Sequence, residues 1–462
     1  MHHPEDDSFS SIHELNLARR HLLRSGPGIG ALGRREFLRN GFLGLGLLAI
    51  GGGLSPAGAL ANSETLRARG TLRDVGPLTQ RENGLLIPQG FTSRIIGQAN
   101  RWVPGTDFLW HTDPDAGAVF PKEGGGWVYV SNREFAPGGV NAIEFDARGD
   151  ILRAYNILPG ESSRINCGGG VTPWGTWLSG EEYDLGLIWE CDPMGLRAPQ
   201  ALIGCGTFAH EAAAVNPLTN IIYLTEDIPQ GRFYRFVPAL PNVGSRPNFA
   251  AGGVLQAMKV EKTFDELAVV GAKGPWRVKW LDIPFPNPVA FRASPLPGTI
   301  DALTPTHQQQ PDSTRFRGGE GIWYQGDVVY FATKGDNRVW AHNVQKQTLD
   351  LLYDDDLFET PQLTGVDNIV MTNGGDIVVV EDQAADQEAI AIRPDGTLMP
   401  LIQLYGQAGS EVTGPAFSPD GRHFYFSSQR GPNAGSLPGT AGVTYCVTGD
   451  WFLTRGRAGR LA

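Results

Sequence analysis

Gly126-Trp-Val-Tyr-Val-Ser-Asn-Arg-Glu134 is a turn glycine, a run of β-branched and aromatic residues, and a polar end. That order is what a short buried strand bounded by a turn requires. The same form returns as Gly175-Thr-Trp-Leu-Ser-Gly-Glu-Glu182, Asn220-Ile-Ile-Tyr-Leu-Thr-Glu-Asp227 and Gly326-Asp-Val-Val-Tyr-Phe-Ala-Thr-Lys334. It returns again as Gly375-Asp-Ile-Val-Val-Val-Glu-Asp382 and Gly421-Arg-His-Phe-Tyr-Phe-Ser-Ser-Gln429. The starting points are 49, 45, 106, 49 and 46 residues apart. A period in the forties is the length of a four-stranded propeller blade. Ser418-Pro-Asp-Gly421 and Arg393-Pro-Asp-Gly396 have the chemistry of hairpin turns within such blades. The expected fold is therefore all-β, a β-propeller of six blades. The long step carries a Pro-rich stretch, read as an insertion at about 240–314, and a seventh blade inside it is the alternative.

Composition agrees with this class. Helical periodicity is scarce after residue 62, and Gly 61 and Pro 33 supply abundant turn residues. The formal net charge of −11 argues against nucleic acid or an anionic membrane as the main partner. Four cysteines, Cys167, Cys191, Cys205 and Cys446, are too few for a disulfide scaffold, and their spacing fits no zinc pattern. No Gly-x-Ser-x-Gly elbow, Walker motif or Rossmann fingerprint stands in the right context.

The first 61 residues read as a leader. Arg34-Arg35-Glu-Phe-Leu has the form of a twin-arginine export signal. An uncharged, Gly-rich apolar stretch follows, and Ala59-Leu60-Ala61 supplies a small-x-small cleavage pattern. Residues 62–462 are then the mature propeller, without a stable membrane span, periplasmic or secreted. A propeller encloses its own edges, so a monomer is expected.

In a propeller, equivalent strand ends meet around one axis. Here many of those ends are acidic: Glu134, Glu181, Glu182, Glu226, Asp227, Glu381 and Asp382. Gathering them is costly without cations, and oxygen-rich clusters select hard ions such as calcium. The most unusual segment, Asn166-Cys167-Gly-Gly-Gly-Val-Thr-Pro-Trp174, puts a cysteine and three glycines just before the second repeat. The glycines suit close backbone approach, and a thiolate there could ligate a transition metal. A small buried thiol beside a tight turn is the plainer reading. His210-Glu211, Arg317-Gly-Gly-Glu320, Asp367-Asn368 and Glu411 are polar pieces that spacing alone leaves without a role.

Taken together these segments resemble the PhoX-type alkaline phosphatase family over roughly 85–435. The most specific stretch runs from Asn166 to Glu182. Asn132-Arg-Glu134, Phe208-Ala-His210-Glu211, Thr225-Glu226-Asp227, Phe316-Arg317-Gly-Gly-Glu320-Gly321, Asp367-Asn368, Glu381-Asp382 and Thr413-Gly-Pro-Ala-Phe-Ser-Pro-Asp-Gly421 support it. The resemblance implies an exported propeller that releases phosphate from small organic phosphate esters at an axial cluster of iron and calcium, after passage through the Tat translocase. It implies Cys167 as the thiolate on iron, with Glu182, Glu211 and Glu320 as cluster carboxylates. Asn132, Asp227 and Asp382 are further metal-site positions. Cys167, Glu320 and Arg317 become the catalytic candidates, Arg317 as the holder of substrate phosphate. The family's Asn-His-Glu reads Asn132-Arg133-Glu134 here, and a late Gln-His-Pro reads Gln429-Arg430-Gly431. A calcium-dependent lactonase-like hydrolase and a non-catalytic, metal-stabilised binding propeller are the competing readings.

Overall fold

Every one of the six repeated runs is a strand: Trp127–Arg133, Trp177–Glu181, Ile222–Glu226, Val328–Thr333, Ile377–Glu381 and His423–Ser428. Each is the second strand of an antiparallel meander. The first, inner strands are Pro114–Pro121, Asn166–Val171, His210–Val215, Gly319–Gln325, Val366–Met371 and Val412–Phe417. Inner strands pack against one another in sequence order, and that of the sixth sheet packs against that of the first, so the ring closes into a β-propeller. This is a computed structural model, describing residues 70–290, 300–383, 387–433 and 439–453. The leader at 1–61 lies outside the described residues.

Apolar pairs across neighbouring sheets hold the ring. Val128, Val130 and Ala142 of the first sheet meet Trp177 and Cys191 of the second. Val378, Val380 and Ala391 of the fifth meet Phe424, Phe426 and Tyr445 of the sixth. Full burial of one such side chain contributes roughly 1.5–3 kcal/mol. The sixth sheet takes its outer strand from the other end of the chain: Thr92–Gln98 pairs with Val443–Thr448. N- and C-terminal segments thus lock the ring together.

The expected insertion is narrower than 240–314. Gly253–Val260 is the fourth strand of the third sheet, and Trp276–Asp282 pairs with it and with Thr348–Asp354 of the fourth sheet. Gly253-Val-Leu-Gln-Ala-Met-Lys-Val260 alternates well enough to form an outer strand, which the nearby prolines obscure in the sequence. Among the described residues no helix is long and apolar enough to cross a membrane.

Of the three glycines after Cys167, Gly168 and Gly170 are needed where the inner strands of the second and third sheets converge, and Gly169 lies against Trp177 and Leu178 of its own sheet. A Cβ on Gly168 would lie 2.2 Å from the Glu211 carbonyl oxygen, and one on Gly170 would lie 1.7 Å from that of Ala213. Both obstacles are backbone, so neither can step aside. Gly170→Ala is expected to cost about 3 kcal/mol or more, at the upper end of overpacking penalties. The denaturant midpoint measures it, and an unchanged midpoint would mean the two strands do not approach this closely.

Candidate metal centre

All six inner strands share one irregularity. Pairing with the second strand slips between Pro114 and Gly117, Asn166 and Gly169, His210 and Ala213, Gly319 and Ile322, and Val366 and Ile369. A bulge re-aims the side chain it carries. The residues that open these slips are Asp115, Cys167, Glu211, Glu320 and Asp367, and all five are buried. In the sixth sheet the slip holds Gly414 instead, whose N–H is bonded to Asn368.

A second tier comes from the residues just past the second strands: Glu134, Glu182, Asp227, Lys334 and Asp382. Glu134, Glu182 and Asp382 are partly accessible, so this tier forms a rim above the buried floor. The sixth sheet adds Glu411, Gln429 and Arg430. Gln429 donates to Asp115 and Glu134, and Arg430 lies 3.4 Å from Glu411.

Three groups of ligand atoms converge, each group within 4.8 Å: Asp115, Glu134 and Cys167; Cys167, Glu182 and Glu211; Glu211, Glu320 and Asp367. Cys167 belongs to the first two and Glu211 to the last two. The arrangement is a chain of adjoining cation sites sharing ligands, not one isolated site. Both Glu211 carboxylate oxygens are buried without a hydrogen-bond partner, although burying a carboxylate unpaired is costly.

Electrostatics point the same way. Burial, then the neighbouring Glu320 and Glu182, push the Glu211 carboxyl well above its ordinary range. Burial and Asp227 do the same to Glu320, and burial and Glu134 to Glu182. Burial and Glu411 raise Asp115 to about 6, and burial and Asp115 raise Glu134 to about 8. The Cys167 thiol is pushed up by burial and by Asp115 and Glu134. Burial alone would lower Lys334, but Glu320 and Asp382 outweigh it and hold the ammonium charged. A bound cation reverses this logic for the acids and the thiol alike.

The structure separates the acidic pairs that the sequence leaves ambiguous. Of Glu181-Glu182, Glu226-Asp227 and Glu381-Asp382, the second member faces the axis and the first turns into its own sheet. Glu181 accepts from the backbone N–H of Arg164 and Leu187. Glu226 accepts from the Arg232 N–H and the Tyr234 hydroxyl, and Glu381 from the N–H groups of Thr364 and Glu388. They tie loops down. His210 likewise is core, stacked on Phe208 and bonded to the Gly206 carbonyl.

Cys167, Glu182, Glu211, Glu320, Asp227 and Asp382 thus come together at the axis. Two expected site residues do not. The Asn132 amide has no free ligand atom: its nitrogen donates to the Cys167 and Gly168 carbonyls, and its oxygen accepts from Trp177 and Ser179. It positions the cysteine. Thr225, at the same place in the third sheet, donates to the Glu320 carbonyl in the same way. Arg317 packs over the Phe264 ring, 4.9 Å from its centre, on the Arg317-Gly318 bend that precedes the axial strand Gly319–Gln325. Among the described residues, the cations paired with cluster carboxylates are Lys334 and Arg430. All four cysteines are buried free thiols.

The family model for alkaline phosphatase PhoX matches residues 183–431, more than half of the chain. The chain belongs to the PhoX alkaline phosphatase family. Members of the PhoX family are exported, metal-dependent phosphatases; the chain is a phosphatase enzyme, and its axial thiol and carboxylates form groups that could hold metal ions. Its fold is similar to that of Pseudomonas fluorescens PhoX in complex with vanadate, a transition-state analogue. That likeness has 15% identity and a TM-score of 0.60, and covers 83% of this chain and 98% of the other. A gluconolactonase from Xanthomonas campestris gives 12% identity and a TM-score of 0.42, over 83% of this PhoX-family chain and 99% of the other. Among curated proteins none matches by sequence.

Proposed function

We propose that this chain is an exported phosphomonoesterase that releases phosphate from small organic phosphate esters at an axial cluster of iron and calcium. The observation that carries the reading is the sharing of Cys167 and Glu211 between adjoining ligand triads. A thiolate among carboxylates suits iron, and an all-carboxylate triad suits calcium. Asp115, Glu134, Cys167, Glu182 and Glu211 would hold the thiolate end, and Glu211, Glu320 and Asp367 the carboxylate end. When bound, such ions supply charge neutralisation for a phosphoryl group and polarise its oxygens.

The chain's own residues contribute position and charge. Phosphoryl transfer needs in-line placement and stabilisation of negative charge more than covalent help. Arg430 stands at the rim with 42% of its side chain exposed, and a guanidinium fork suits bidentate phosphate binding. It takes the role that the family resemblance implies for Arg317. Asn132 and Thr225 hold the backbone of Cys167 and Glu320, so the floor is set before substrate arrives. Export would follow the twin-arginine route through the 1–61 leader, with the mature chain a periplasmic or secreted monomer.

The test is elemental analysis of mature protein exported through its own leader, with phosphomonoester turnover on the same sample. Iron with calcium, and phosphate release that chelation removes, is the expected result. Calcium without iron, and no phosphate release across a broad ester panel, would overturn the reading.

A further inference from the structure

At the rim, the first, second, third and fifth sheets present Glu134, Glu182, Asp227 and Asp382. The fourth presents Lys334 at the same position. Its ammonium lies 3.0 Å from Glu320, 3.2 Å from Asp382 and 3.9 Å from Asp227. These three carboxylates come from three successive sheets. Elsewhere around the axis, equivalent residues of successive sheets close to within reach of a shared ion, as Glu211, Glu320 and Asp367 do. Asp227 and Asp382 join no such triad, and the ammonium stands among them. Asp227 is buried, yet its Oδ1 has no hydrogen-bond partner.

We propose that the Lys334 ammonium is a built-in cation, filling a rim position that would otherwise take a divalent ion, so that the cluster binds one calcium fewer than its carboxylates could hold. The inference rests on the metal-centre reading above. An ammonium and a calcium ion meet the same need, a positive charge surrounded by carboxylate oxygens. They differ in reach: ammonium nitrogen sits about 2.8–3 Å from its acceptors, whereas calcium draws oxygens to about 2.3–2.6 Å. Removing the ammonium leaves Asp227, Glu320 and Asp382 facing one another with nothing between them. That is an oxygen-only site of the kind calcium takes. The lysine also makes this part of the charge balance independent of the supply of calcium.

The experiment compares full-length wild type with Lys334→Met and Lys334→Arg. Each is stripped with chelator and titrated with calcium chloride, and bound calcium per chain is read by equilibrium dialysis and elemental analysis. Lys334→Met is expected to hold one more calcium per chain than wild type, and Lys334→Arg the same number as wild type. Should Lys334→Met fold only with calcium present, the ion has replaced the ammonium and the proposal stands. Lys334→Gln, which keeps a donor toward Glu320, is the second variant if Lys334→Met yields no protein. Equal counts in folded wild type and folded variant would overturn the proposal. So would an unchanged count with a raised KM for phosphate ester, which would make Lys334 a substrate-binding residue. Failure of both neutral variants to fold, with or without calcium, would overturn it too. Absence of iron and turnover in wild type would sink the phosphatase reading alone, because the calcium difference is read separately.

Discussion

Cys167→Ser is expected to lower phosphomonoester turnover by at least ~10²-fold, with loss of iron and retention of calcium. The sulfur is shared by two ligand triads, so its loss weakens two adjoining sites together. Serine has nearly the same shape but neither the softness nor the acidity of a thiol, and its hydroxyl stays protonated beside carboxylates. Burial and the surrounding acids keep Cys167 a neutral thiol in the metal-free chain. Its deprotonation is therefore coupled to metal binding, and proton release accompanies loading. The Asn132 bonds run to the Cys167 and Gly168 carbonyls, not to the sulfur, so the backbone is held equally well in the variant. Equal melting temperatures of the two proteins in chelator would confirm an intact fold. Wild-type iron content and turnover in the variant would sink the assignment.

The fold was legible because the second strands carry the signal. They are flanked on both faces by neighbouring sheets, so they read as runs such as Val328-Val-Tyr-Phe-Ala332 with a turn before them. The inner strands were opaque for a physical reason. They converge on the axis, where only small residues fit, and Asn166-Cys-Gly-Gly-Gly-Val171 has neither alternation nor strand propensity. Asp115 gives no signal inside one of them, and Asp367 and Glu411 taken alone read as polar loop, Asp367-Asn368 entering only as part of the resemblance. The pairs Glu181-Glu182, Glu226-Asp227 and Glu381-Asp382 could not be sorted without register, since neighbouring residues on a strand point opposite ways. A signal was nonetheless present. Cys167, Glu211 and Glu320 each precede a small residue, and with Asp367 they stand at a similar distance before Glu182, Asp227, Lys334 and Asp382. Lys334 and Arg430 sit at the ends of repeats, yet their meaning as cations appears only beside the carboxylates that three sheets bring to them.

Stripped of divalent ions, the protein is expected to lose stability as pH rises from about 5 to about 8, by on the order of 2 kcal/mol or more. Burial and the Asp115 charge raise Glu134 to about 8, and burial and Glu411 raise Asp115 to about 6. An unfolded chain releases these protons near pH 4. Between pH 4 and pH 8 the folded chain therefore binds more protons than the unfolded one, and the unfolding free energy falls as pH rises. Above the folded values the full penalty of assembling ionised carboxylates remains, offset in part by Lys334, Arg430 and the Gln429 hydrogen bonds. Divalent ions remove the proton difference by taking the protons' place, so a calcium-loaded sample should show a flat or rising profile over the same range. Melting temperatures at pH 5, 6.5 and 8, with chelator and with calcium chloride, measure both slopes. A chelated protein that gains stability from pH 5 to pH 8 would show that these carboxylates do not crowd one another at the axis, and the cation requirement of the site would go with them.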